Sequence, residues 1–273
     1  MFKTGFHAGI RSMSLRVAKI CLGMVVACLP VSVAWAQNNA ACQAFGPENR
    51  LPALTRPFML KQTELLCNTG YVVLVSSVTH TPLWAAEHLQ ANNVRLAERL
   101  MRAGTFYEDS RWPNGSRDQD YKKSGYSRGH MAPSADQPTP TAQFETFAYS
   151  NMVPQSIKLN QGIWARIEYT VRELAVQEGD LYVVTGPAFH GHPIPTIGPD
   201  HVFVPSSTWK AVYSAHRQAA GVYVCKNVQR SPHCDQVTVA TLIRNTGVDP
   251  FPGVADNIKQ SFWRLPSPRK IRR

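Results

Sequence analysis

Tyr126-Ser127-Arg128-Gly129-His130-Met131-Ala132-Pro133 is the stretch on which the reading of this chain turns. A lone histidine is most often a packed or surface residue. This one follows Arg-Gly between turn-rich segments: residues 106–125 abound in Asp, Arg, Pro, Gly and Ser, and residues 137–141 add two prolines. An imidazole with a pKa near 6.5 suits a general base at neutral pH. Arg128 beside it offers a planar cationic fork for a phosphate. Taken alone, the octet is a weak signal.

Two further stretches follow it. The first is Tyr149-Ser150-Asn151-Met152-Val153-Pro154-Gln155. The second is Leu159-Asn160-Gln161-Gly162-Ile163-Trp164-Ala165-Arg166-Ile167-Glu168, with Arg172 beyond it. Ile163, Ile167, Val171 and Leu174 recur near the helical period, which predicts one helix over residues 157–179 stopped by Gly179. On such a helix Asn160, Trp164, Glu168 and Arg172 are successive i+4 steps and form a polar stripe. An amide oxygen, a carboxylate and a guanidinium on one stripe can hold a hard cation and a phosphate together. A solvated face with a Glu168–Arg172 ion pair would give the same pattern.

Working outward, residues 71–75 form a β-branched run behind Gly70, and residues 181–185 form another, ended by Gly186-Pro187. Residues 202–213, 219–225 and 237–243 supply further strand-like runs, residues 81–89 a strand or a short connection, and residues 94–100 a short helix. No repeat or linker interrupts the 273 residues, so one α+β domain is the simplest architecture. Hydrophobic residues at 44% and charged residues at 17% exclude a disordered chain. The absence of several long apolar runs excludes a polytopic membrane protein. With 29 Lys+Arg against 18 Asp+Glu, the net charge of +11 favours partners that carry phosphates.

The N-terminus reads as an export signal. Lys3, Arg11, Arg16 and Lys19 precede the apolar run Ile20 to Ala36, which ends Ala34-Trp35-Ala36 before Gln37. Val25-Val26-Ala27-Cys28 loosely resembles a lipoprotein box, but the apolar run continues past Cys28. Removal of residues 1–36 takes away four positive charges and leaves a basic chain of +7 (25 minus 18). It also leaves Cys42, Cys67, Cys225 and Cys234, an even count that suggests disulfides in an oxidising compartment. Proximity in sequence favours Cys42–Cys67 and Cys225–Cys234. No C-x-x-C or H-x₃-H spacing speaks for zinc, and His190, His192 and His201 lie among Gly and Pro as loop residues.

The three ordered stretches together resemble the DNA/RNA non-specific endonuclease family, the ββα-metal or His-Me finger nucleases. That family carries Arg-Gly-His, then Ser-Asn-x-x-Pro-Gln, then Leu-Asn-Gln-Gly-x-Trp-x-x-x-Glu. Here these are Arg128 to His130, Ser150 to Gln155 and Leu159 to Glu168, with 21 residues from His130 to Asn151 and 9 from Asn151 to Asn160. Weaker likeness extends over roughly residues 65 to 265. The resemblance implies a central antiparallel sheet flanked by helices, bearing a ββα-metal active-site motif. It divides the chain into a signal peptide (1–36), an N-terminal arm (37–66), the endonuclease domain (67–265) and a basic tail (266–273).

By the same resemblance Asn160 is the metal ligand for Mg²⁺, with Mn²⁺ as a substitute, and Glu168 orients water around it. His130 is the general base, Arg128 and Arg172 neutralise the phosphate, and Asn151 fixes the loop or assists near the histidine. An additional arginine from the preceding loop is expected, with Arg111 and Arg117 as candidates. The implied partners are DNA and RNA held through the phosphate backbone, with no membrane contact after signal removal. An inhibitor protein and a homodimer fit the resemblance too. The implied location is periplasmic or secreted. A non-catalytic nucleic-acid-binding protein on the same scaffold is the alternative. The departure is Ser127, where the family usually has Asp. Loss of that charge would lower the His130 pKa, unless position 127 serves only local backbone hydrogen bonds, which serine makes well.

Overall fold

A computed structural model describes residues 41–269; the expected signal segment and the last four residues of the basic tail lie outside the described residues. The strands are β1 (Thr63–Cys67), β2 (Val72–Ser76), β3 (Thr81–Gln90), β4 (Tyr126–His130), β5 (Met152–Ser156), β6 (Asp180–Ala188), β7 (Ser207–Ser214), β8 (Ala219–Lys226) and β9 (Cys234–Val237). The helices that matter for the site are α1 (Ala91–Ala97), α2 (Ala165–Glu178) and α3 (Val239–Thr246). Seven strands form one antiparallel sheet in the order β9-β8-β7-β6-β3-β2-β1. The expected antiparallel α+β architecture is therefore observed. Residues 81–89 are a central strand rather than a connection. The end of the segment expected as an arm supplies the edge strand β1.

Central strands are buried on both faces, and side chains alternate between them. Trp84, Ala86, Val184, Ala211 and Val222 face one way, where Val239 and Leu242 of α3 and Phe251 cover them. Val183, Val212 and Tyr223 face the other way, under Ile167, Val171 and Leu174 of α2. Beside them Val73, Val75 and Ala85 pack under Met131, Ala132 and Val153, the two ends of the connection between β4 and β5. The disulfides are Cys42–Cys67, which ties the N-terminal segment to β1, and Cys225–Cys234, which joins the facing positions of β8 and β9.

On the face beneath α2 the sheet carries a row of buried polar side chains between the two apolar clusters. Gln137 Nε2 donates to Glu87 Oε1 (3.0 Å), Lys210 Nζ donates to Thr185 Oγ1 (2.5 Å), and Gln155 Nε2 donates to Thr208 Oγ1 (3.1 Å). Buried polar groups persist where they find partners, and these form the floor under the motif residues. Burial, reinforced by Asp136, raises the Glu87 carboxyl well above the usual carboxylate range.

Candidate active site

β4 and β5 pair antiparallel from Tyr126↔Ser156 to His130↔Met152. The approach of the two strands requires Gly129, since a Cβ there would lie 2.6 Å from Gln155 Oε1. After β5 the Ser156 hydroxyl accepts from the Leu159 N–H (3.1 Å), and the chain enters a wide π-helical turn, Leu159–Trp164, that runs into α2. Gly179, at φ +92°, ends α2 where its sequence position indicated. Two strands and a helix thus surround a cleft of about 510 Å³.

Arg128, His130, Asn160, Glu168 and Arg172 all line that cleft. The sequence had separated them by up to 44 residues (172 minus 128), so the strand–strand–helix unit brings them together. Asn151 does not line it. Its Oδ1 accepts from the Ala132 N–H (2.9 Å), and its Nδ2 donates to Ala132 O (2.8 Å) and Thr146 O (2.9 Å). Asn151 is fully buried, and these bonds fasten the loop behind His130.

The expected straight stripe is also corrected. Gly162 leaves helical geometry (φ −106°, ψ −111°), and the wide turn changes the phase of everything before α2. Trp164, itself in helical geometry (φ −66°, ψ −49°), stays in phase with Glu168 four residues on, yet it is fully buried, with Lys210 Nζ 5.6 Å from its ring centre. Wide helical turns often occur at functional sites, and this one carries Asn160 to the cleft without an i+4 ladder. The Glu168–Arg172 ion pair of the bland reading is replaced by a bond from Arg172 Nη1 to Asp136 Oδ1 (2.7 Å).

Asn160 Nδ2 donates to Ser127 Oγ (2.9 Å), and Ser127 Oγ donates to the Gln155 carbonyl across the strand pair (2.9 Å). A hydroxyl has one hydrogen. Because that hydrogen goes to a carbonyl, the nitrogen side of the Asn160 amide must face Ser127, which turns Oδ1 to the cleft. Ser127 therefore makes the local hydrogen bonds of the second sequence reading, and it directs them at Asn160. The site offers an amide oxygen and a carboxylate. Among the described residues no group of three His, Cys, Asp or Glu stands ready for a metal. This donor set fits a hard cation that keeps most of its water shell and does not fit zinc.

His130 is 9% exposed, edge-on to Phe147 (centroids 5.3 Å apart) and tilted against Phe106 (5.8 Å). Burial first, and the Arg102 charge second, hold its pKa down at about 3, so the imidazole is neutral. Burial pushes the Glu168 carboxyl up to about 7, against the opposing pull of Lys210 and Arg172. Arg128 Nε donates to the Tyr149 hydroxyl (2.8 Å), which itself donates to Asp118 Oδ1 (2.9 Å), and a terminal nitrogen of Arg128 also pairs with Asp118. The guanidinium lies 5.1 Å from the Phe106 ring centre.

The loop arginine is not where the sequence pointed. Arg111 is spent on Asp109, the Cys67 carbonyl and Asn68, and Arg117 pairs with Asp200 at 3.4 Å. Arg102 lines the cleft instead, its guanidinium carbon 5.2 Å from the Phe147 ring centre. Nothing in the spacing distinguishes Arg102 from Arg95 or Arg99 in the same segment. Asp118, which steadies Arg128, had no sequence signal either.

The chain is similar to the mitochondrial nuclease EXOG of Danio rerio, 34% identical over 207 residues, which are 68% of this chain and 60% of that protein. It is similar to a nuclease of Nostoc sp., 31% identical over 72% of this chain and 77% of that protein. The match to human EXOG spans 51% of that protein's length, so the chain covers little more than half of such relatives. Among solved structures, one described as an EndoG/EndoGI complex aligns with a TM-score of 0.62 and 29% identity, over 68% of this chain and 86% of that one. The model of the DNA/RNA non-specific endonuclease family matches residues 52–257, and the chain belongs to that family.

Proposed function

We propose that this protein is a metal-dependent endonuclease that hydrolyses phosphodiester bonds of DNA and RNA without regard to base sequence. The observation that carries this reading is the meeting of His130, Asn160, Glu168 and three arginines in one cleft. A protein that only bound nucleic acid would need the arginines but not a desolvated neutral imidazole beside them.

His130, neutral at every physiological pH, takes the proton from a water aligned with a phosphodiester phosphorus. Arg128, anchored by Asp118 and Tyr149, presents donors in fixed positions to the phosphoryl oxygens as charge builds on them. Arg102 and Arg172 add positive charge along the same wall. Asn160, held by Ser127, would hold the cation, Mg²⁺ or Mn²⁺, with Glu168 orienting the water around it. When bound, that cation supplies Lewis acidity to the phosphate and charge stabilisation to the departing 3′ oxygen. Binding through phosphates reads no sequence, in keeping with the basic balance of the chain.

The signal-like residues 1–36 and the two disulfides support export to a periplasmic or external space, with residues 67–265 as the enzyme. The likeness to EndoG in its EndoGI complex supports an inhibitor protein as a partner. The deciding experiment is digestion of plasmid DNA and of RNA by the purified protein, with Mg²⁺ and with chelator. Cleavage of both that stops on chelation is expected. Binding without cleavage would establish the non-catalytic alternative.

A further inference from the structure

A second hollow, of about 220 Å³, adjoins the catalytic cleft and shares Arg102, Ser134, Ala135 and Arg172 with it. The same two guanidiniums thus belong to both spaces. Tyr169 of α2, the residue after Glu168, and Leu100 also line it. Tyr169 is only partly buried, and among the described residues its hydroxyl makes no hydrogen bond that would explain its placement. The one acid at the rim is Glu98, while Gln143 spends its Oε1 on the Ala103 N–H (2.7 Å). An aromatic ring with an aliphatic neighbour, beside the catalytic cleft and joined to it by Arg102 and by Arg172, whose Nη1 is held by Asp136, has the layout of a flanking nucleotide: phosphate on the cleft-side guanidiniums, base on the ring.

We propose that this hollow is a nucleotide subsite in which Tyr169 stacks on the base next to the scissile phosphate. The proposal rests on the nuclease reading of the main cleft. Every base has a π-face, so a tyrosine platform strengthens binding without imposing a sequence, as a non-specific enzyme requires. Glu98 at the rim disfavours a second phosphate there and leaves the ring for the base.

The test compares wild type, Tyr169→Ala and Tyr169→Phe on a single-stranded oligonucleotide and on bis(p-nitrophenyl) phosphate, a diester without a base. Stacking energies of about 1–3 kcal/mol per base correspond to roughly 5- to 150-fold. Tyr169→Ala should lower the ratio of kcat/KM on the oligonucleotide to kcat/KM on the aryl diester at least about fivefold, mainly through KM. Tyr169→Phe, which keeps the ring, should restore the ratio. Equal losses on both substrates, or an unchanged ratio in the alanine variant, overturn the subsite. A second measurement is independent of cleavage: titration of an oligonucleotide containing 2-aminopurine, in chelator, with quenching expected for wild type and Tyr169→Phe and lost in Tyr169→Ala. Should the wild type cleave neither substrate, the nuclease reading fails. Quenching identical in all three proteins overturns the subsite itself.

Discussion

The buried, neutral His130 has a consequence that is measurable without any substrate. Burial and Arg102 hold its pKa at about 3 in the folded protein, against an ordinary value of 6.5. Between those two values the unfolded chain binds a proton that the folded chain refuses. Stability is therefore fully present above pH 6.5 and declines as the pH falls toward 3, by about 1.36 kcal/mol per unit. At pH 4.5, two units below the unfolded value, the histidine should cost about 2.7 kcal/mol relative to pH 7.5. His130→Asn removes the titration and keeps a polar side chain of similar reach. Urea unfolding of both proteins in chelator at pH 7.5 and 4.5 gives the comparison. Glu168 and Glu87 have raised pKa values and act in the opposite direction, but both are present in the two proteins and cancel in the difference. The wild type should lose about 2–3 kcal/mol more than the variant on acidification. A difference between the proteins that is the same at both pH values would refute the claim that His130 is held neutral, and with it the expectation that cleavage persists well below pH 6.5.

The remaining expectations concern the groups around it. Chelation should abolish cleavage, and Asn160→Ala should raise the Mg²⁺ concentration needed for half-maximal rate; activity indifferent to EDTA would remove Asn160 and Glu168 from the mechanism. Ser127→Ala should raise that concentration by a smaller factor, about 2- to 10-fold, the worth of one hydrogen bond, and an unchanged Mg²⁺ titration would show that the amide holds itself. Ser127→Asp places its charge beside Asn160, so it should lower the Mg²⁺ requirement and leave the acidic limb of the kcat/KM profile in place; a limb moved to higher pH would restore the electrostatic link to His130. Thiol titration of the unfolded, unreduced protein should find no free thiol among Cys42, Cys67, Cys225 and Cys234.

The legible parts of this molecule were those where local chemistry and geometry coincide. Most of the β-branched runs became the sheet, although the run expected as a strand at residues 237–243 is largely helix α3, and Gly179 ended the helix, because a positive φ at its C-terminus is open to glycine at little cost. Both disulfides followed proximity in sequence. The motif residues His130, Arg128, Asn160, Glu168 and Arg172 reached one cleft because they sit on rigid elements, two paired strands and a helix start. What failed was phase. Periodicity assumes 3.6 residues per turn throughout, and the wide turn at Gly162 breaks the i+4 step from Asn160 to Trp164, while Trp164 itself is buried in the core.

Long-range pairing was illegible for a different reason. A guanidinium's place is decided by which carboxylate the fold brings to it, and sequence alone does not say which of the available pairings forms. Arg111 had Asp109 two residues away and was captured by it; Arg102 had no such neighbour and stayed free to face the cleft. Ser127 shows the same limit from the other side. Its residue type allowed either an electrostatic loss or a hydrogen-bonding role, and only the direction of one Oγ–H bond separates them. With that hydrogen on the Gln155 carbonyl, the oxygen is left to receive the Asn160 amide. A carboxylate at this position could receive the amide but not donate to the carbonyl. Serine thus keeps the orientation of the cleft-facing oxygen of Asn160, bonds the neighbouring strand as well, and gives up only a negative charge beside it.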